Sequence, residues 1–250
     1  MTFLEGLIVA GTGVVAGAMN TAIGSGTLVS FPMLLAVGYP PVVANVSNGI
    51  GLLPGSLTGV LGYRRELAGQ RTRVRWLATT TAIGALAGAV LLLVLPSDSF
   101  ETVVPGLILI AVILVAFQPW IARRLARHRN RPAHGGPWLV LGIFATGVYG
   151  GYFGASQGVI TLSLMGITID EHLQRLNAVK NVLTATAYLV SGIVFVFAAE
   201  VAWPAVLVLA AGAIVGGQLG ARYGRRLKPA WLRALIVLVG LVAVVRLLLD

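Results

Sequence analysis

The chain has 250 residues, a formal charge of +10, 57% hydrophobic residues, only 10% charged residues and no cysteine. With a mean hydropathy of +0.91 it cannot hide its apolar surface in one soluble core, because soluble domains carry roughly 25% charged residues. The composition excludes disulfides and thiolate chemistry and points to an integral membrane protein that crosses the bilayer several times.

The opening, Met1-Thr-Phe-Leu-Glu5, lacks the basic region of a signal peptide, so the first apolar run is expected to stay in the protein. Apolar runs fall at about 3–22, 27–38, 42–62, 76–95, 101–121, 137–154, 158–169, 177–198, 202–221 and 230–249. Eight of them approach the roughly 20 residues that a spanning helix needs. The runs 27–38 and 158–169 are too short to span upright, and they stand at matching places in the two halves. The expected fold is therefore all-α: a polytopic membrane bundle of eight long and two short segments in two inverted repeats. Residues 1–121 would form the first membrane repeat, 122–136 a basic cytoplasmic linker and 137–250 the second repeat.

The positive charge is concentrated in short gaps. Arg64, Arg65, Arg71, Arg73 and Arg75 form one cluster, Arg123, Arg124, Arg127, Arg129 and Arg131 another, and Arg222, Arg225, Arg226 and Lys228 a third. Such clusters mark cytoplasmic gaps, whereas Asp98, Glu101 and Glu200 lie in gaps without Lys or Arg. Nucleic-acid binding is excluded as the purpose of the charge, because no folded soluble surface exists to present it. Between two cytoplasmic gaps the crossings must be even in number, so each short segment counts as a pass and both termini fall outside. Arg246 is left unexplained by this scheme. His128 and His134 sit in the basic linker, where solvation explains them better than metal binding.

Two stretches repeat. Gly17 to Gly24 is answered by Gly147 to Gly154, Val46-Ser47-Asn48 by Val179-Lys180-Asn181, and Thr58-Gly59 by Ser191-Gly192, the last two pairs at a constant offset of 133. Apolar segments interrupted by glycine at corresponding places in two halves mark a transporter built from repeats. Gly13 and Gly17, Gly84 and Gly88, and Gly212, Gly216 and Gly220 recur every four residues, a spacing that serves close helix packing.

The interruptions are the first functional candidates. At Gly24-Ser25-Gly26-Thr27 glycine permits a non-helical backbone, and Ser25 or Thr27 is expected to cap the helix that follows. Gly154-Ala155-Ser156-Gln157-Gly158 offers the same roles, with Ser156 as the cap. A helix N-terminus inside a membrane exposes free N–H groups and a partial positive charge, which suits an anion. The bland alternative is a pair of tight turns outside the membrane.

The second candidate is a polar face. Asn177, Lys180, Asn181, Thr184, Tyr188 and Ser191 share one side of a helix, and Asn45 and Asn48 with Ser56 and Thr58 make a weaker counterpart. Lys180 either lines the pathway or snorkels to the cytoplasm. Asn48 and Asn181 cannot snorkel. Glu5, Asp170 and Glu171 lie near predicted helix ends, leaving no buried carboxylate to attract a cation. The chain carries no H-E-x-x-H, G-x-S-x-G or Walker A sequence, so no catalytic residue, metal site or cofactor is expected.

With those residues in hand, the chain resembles the sulfite exporter TauE/SafE family of bacterial membrane proteins over nearly all its length. The resemblance rests on the glycine-broken first helix, Pro32 to Gly38 with Tyr39-Pro-Pro41, Leu176 to Asn181, and Gly212 to Leu232. It implies transport of a small anion, often a sulfur oxyanion or organosulfonate, across the bacterial inner membrane. The expected substrate site comprises Gly24, Ser25, Gly26, Thr27, Asn45, Asn48, Ser156, Gln157, Asn177, Lys180 and Asn181. The expected partners are a small anionic substrate and the lipid bilayer. A non-transporting membrane scaffold or accessory subunit is the alternative. Oligomeric state is not readable from the sequence.

Overall fold

The computed structural model describes residues 1–125 and 136–224, and beyond them residues 234, 237–238, 241–242 and 244–245. Arg127, His128, Arg129, Arg131 and His134 of the expected linker lie outside the described residues. So do Arg225, Arg226, Lys228, Arg246 and most of the last apolar run.

The described residues form nine helices and no strand: α1 (Phe3–Ala22), α2 (Thr27–Ala36), α3 (Pro41–Gly62), α4 (Arg71–Val94), α5 (Ser97–Leu125), α6 (Pro137–Tyr152), α7 (Gln157–Thr168), α8 (Leu173–Ala198) and α9 (Trp203–Tyr223). Start signals in the sequence account for several boundaries. Thr2 and Glu5 form a capping box at α1, and prolines stand in the first turn of α3, α6 and α9.

Five described helices, α1, α4, α5, α8 and α9, are long and apolar enough to cross a membrane, which meets part of the count of eight long runs. The 16-residue α6 is shorter than a full span, and the final run lies outside the described residues. The basic clusters do not stay in loops. Arg71, Arg73 and Arg75 begin α4, and α5 continues to Leu125 through the first linker residues.

The outer surface is apolar. Phe3, Trp76, Trp138, Phe197 and Trp203 are exposed near helix ends, as expected for aromatic side chains at a membrane–water boundary. Inside, small residues let helices touch by their backbones. A Cβ on Gly212, Gly216 or Gly220 would meet the backbones of Ala10, Val14 and Ala18 in turn. The same rising register places α1 parallel to α9. Gly84 and Gly88 meet the backbones of Phe144 and Val148 in the same way, so α4 runs parallel to α6. When α1–α4 are matched with α6–α9, α1 on α9 becomes α6 on α4, and α3 on α9 becomes α8 on α4.

Candidate functional site

Each interruption is built by the same backbone pattern. The amides of Ile23 and Gly24 both donate to Met19 O, at 2.8 and 3.0 Å, and those of Phe153 and Gly154 both donate to Tyr149 O, at 2.9 Å. This double bond ends α1 and α6 and throws the chain into left-handed backbone, with φ +91° at Gly24 and +77° at Gly154. Only glycine takes such angles without strain. The chain then reverses: Gly26 lies against Ala16 and Asn20, and Gln157 lies against Gly150.

The serines do not cap. Gly26 is the N-cap of α2, in right-handed helical geometry, and makes no side-chain cap bond. Ser156 stands at the N-cap of α7 with φ 58° and ψ 18° and makes no cap bond either. A capping side chain needs extended backbone at that position, and neither residue supplies it. Ser25 and Ser156 are instead fully buried, and their Oγ atoms have no hydrogen-bond partner. Thr27 turns to Tyr188, its Oγ1 lying 3.0 Å from the phenol oxygen.

The two interruptions meet. A Cβ built on Gly24 would stand 2.6 Å from Gly158 Cα, and one on Gly158 would stand 2.6 Å from Gly24 Cα and 3.0 Å from Lys180 Cδ. Lys180 thus belongs to this crossing. Its side chain is wholly inaccessible, which overturns the snorkelling alternative. Its Nζ donates to Asn20 O at 2.8 Å and Thr21 O at 3.1 Å, and Asn177 Nδ2 donates to Thr21 O at 3.4 Å. Those carbonyls are freed because the Gly24 amide bonds to Met19 O, leaving the last turn of α1 without intrahelical donors.

The second half shows a reciprocal arrangement with different chemistry. Asn45 on α3 donates through Nδ2 to Tyr152 O, the last residue of α6, at 2.9 Å. Each broken helix is therefore received at its C-terminal end by a helix of the other half. Ser47, the counterpart of Lys180 at the offset of 133, accepts from Ala202 N instead.

Every expected site residue is buried: Gly24, Ser25, Gly26, Thr27, Asn45, Asn48, Ser156, Gln157, Asn177, Lys180 and Asn181. Gly24, Lys180 and Asn177 come together at the end of α1, with Ser25, Ser156 and Gln157 beside the crossing in sequence. Asn45 stands apart, at the end of α6. Asn48 Oδ1, Gln157 Oε1, Asn177 Oδ1, Asn181 Nδ2 and Thr184 Oγ1 are buried without partners. Such orphaned groups are costly inside a protein, and here they fall on the start of α7, on the polar face of α8 and, for Asn48, on α3. Lys180 is the one charged side chain among the buried described residues. Sequence reasoning missed Asn20 and Thr21, which act through backbone carbonyls that no side-chain pattern reveals. Among the described residues, no group of acidic, histidine or cysteine side chains could hold a metal ion.

The described residues thus form an all-helical bundle with five helices able to cross a membrane and two broken helices around a polar interior. The chain belongs to the sulfite exporter TauE/SafE family, whose profile matches residues 9–247. It is 25% identical over 242 residues to a probable membrane transporter protein of Haemophilus influenzae, covering 95% of this chain and 92% of that one. It is 23% identical to the probable membrane transporter protein YfcA of Escherichia coli K12, over 94% of this chain and 86% of the relative. A probable membrane transporter protein of a Sinorhizobium species, ORF9, is 27% identical over 94% and 89% of the two chains. No solved structure matches.

Proposed function

We propose that the protein is a secondary transporter of a small anion, held where the two interruptions cross. One observation carries this reading. Lys180 is a fully buried amine bonded only to two main-chain carbonyls, and in its ammonium form it has three protons to donate. A buried charge of this kind calls for a counter-charge, and no Asp or Glu of the described residues is buried as a whole, although one oxygen of Glu66 is. The anion would take the third proton of Lys180, with further bonds from Ser25, Ser156 and Asn181 and from the free N–H groups that open α2 and α7. Sulfur oxyanions and organosulfonates fit, offering several acceptor oxygens around a single small centre.

The same reading makes the halves inverted repeats in the inner membrane, with both termini outside and the arginine-rich gaps at 63–75, 122–136 and 222–229 in the cytoplasm. The matched interruptions and the exchanged helix pairings support it. Uptake of sulfite, sulfate and methanesulfonate into proteoliposomes, compared with uptake of tetramethylammonium, tests the function. Saturable flux of at least one anion is expected. Cation flux without anion flux would refute the reading, and so would a bilayer no more permeable than empty vesicles.

A further inference from the structure

Broken-helix transporters commonly hold a soluble coupling cation against half-helix C-terminal ends and unwound carbonyls. In this protein the corresponding position is already filled. Asn20 O and Thr21 O, at the C-terminal end of α1, point to Lys180 Nζ at 2.8 and 3.1 Å. The negative end of a helix dipole favours such a cation. We infer that the Lys180 ammonium is a tethered cation occupying a monovalent-cation site at the end of α1, so that the protein needs no Na⁺ there.

The surroundings fix the amine in place. Gly158 lies so close to the Lys180 stem that a Cβ on it would stand 3.0 Å from Cδ, and Asn177 shares Thr21 O with Nζ. Among the described residues no Asp or Glu makes a hydrogen bond or ion pair with the ammonium, which bonds to Asn20 O and Thr21 O. The phenols on the helices packed around it are engaged elsewhere, Tyr188 with Thr27 and Tyr149 with Ala155 O at 2.6 Å. Glu171 is held by Arg73 and Arg175 at the start of α4 and α8. At the reciprocal position, the end of α6 is met by the neutral amide of Asn45 instead. The tethered charge is thus specific to α1, and it is independent of which anion is carried.

Thermal unfolding of the purified full-length protein tests the assignment without any substrate. Wild type should have the same Tm in NaCl and in choline chloride at equal ionic strength. Lys180→Ala should unfold at lower temperature. Propylammonium, which replaces the deleted carbons and the charge, should raise its Tm by about 5–10 °C when present far above its Kd. Propan-1-ol, of matching size without the charge, should not. A Tm of wild type that rises with Na⁺ over choline would overturn the inference, as would equal rescue by propan-1-ol or no rescue by propylammonium. If Lys180→Ala does not fold, the comparison of Na⁺ with choline on wild type still decides. Failure of the anion reading would show separately, as absent anion flux with this cation behaviour intact.

Discussion

Gly24 and Gly158 approach so closely that neither has room for a side chain: a methyl on Gly24 would stand 2.6 Å from Gly158 Cα. Residues from opposite halves of the chain thereby share one point, and the interruptions depend on each other. Gly24→Ala meets two penalties, the left-handed backbone and the collision with Gly158. The first alone costs about 1–2 kcal/mol. Gly38 supplies the control, since it has φ +96° but nothing within 4 Å of its would-be Cβ. Transport should fall at least tenfold in Gly24→Ala and much less in Gly38→Ala, measured as initial flux at matched protein content. Equal losses would mean that backbone strain, not the crossing, matters.

Lys180→Met removes both the charge and the donors to Asn20 O and Thr21 O. Asn177 Nδ2 still reaches Thr21 O, so Asn20 O is the carbonyl left without its partner, at a cost of about 1–3 kcal/mol, and a lower Tm and loss of anion flux are expected together. Lys180→Arg keeps the charge and should keep part of the flux. Normal flux in Lys180→Met would remove the lysine from the site.

Asn45 and Asn181 should separate. Asn45 bonds to Tyr152 O, so Asn45→Ala should chiefly lower stability, by about 1–3 kcal/mol. Asn181 Nδ2 has no protein partner, so Asn181→Ala should cost little stability while weakening apparent anion affinity. The two readouts, Tm and the concentration for half-maximal flux, check this, and the reverse pattern would exchange their roles.

Glu171, just before α8, ties the start of α8 to the start of α4, 3.2 Å from Arg73 and 3.0 Å from Arg175. Partial burial pushes its carboxyl up, but the His172 amide, Arg73 and Arg175 outweigh it and hold the group below the usual carboxylate range. A carboxyl depressed by folding adds stability above its unfolded pKa, and that stability is lost as pH falls through the lower folded value. Wild type should therefore lose more Tm than Glu171→Gln on acidification below about pH 4.5, the range in which an ordinary carboxyl titrates. Parallel Tm curves would show that the pair contributes nothing.

Much of this was legible in the chain. The bilayer imposes a length on apolar runs, so α1, α3, α7 and α9 begin and end within a few residues of the expected boundaries. Gly24 and Gly154 were legible because backbone reversal inside an apolar segment demands glycine. The fate of Lys180 was not, since a lysine one turn inside an apolar run snorkels or turns inward according to what packs over it. Here Gly158 leaves space for its stem, and α1 offers unpaired carbonyls. Capping by Ser25 and Ser156 failed for a geometric reason: the reversal places helical or left-handed backbone where an N-cap needs extended backbone. The role of Asn20 and Thr21 lies in main-chain oxygens, which carry no residue-specific signal.

The chain has no cysteine, so Ser25→Cys and Ser156→Cys each give one reporter thiol at the crossing. The rate of modification by a membrane-permeant methanethiosulfonate reagent should fall in proportion to occupancy when methanesulfonate or sulfate, whichever the proteoliposomes take up, is added. A thiol at Ser97, at the start of α5, should react at an unchanged rate. Modification of both crossing thiols that is indifferent to a transported anion would contradict a substrate site between the two broken helices.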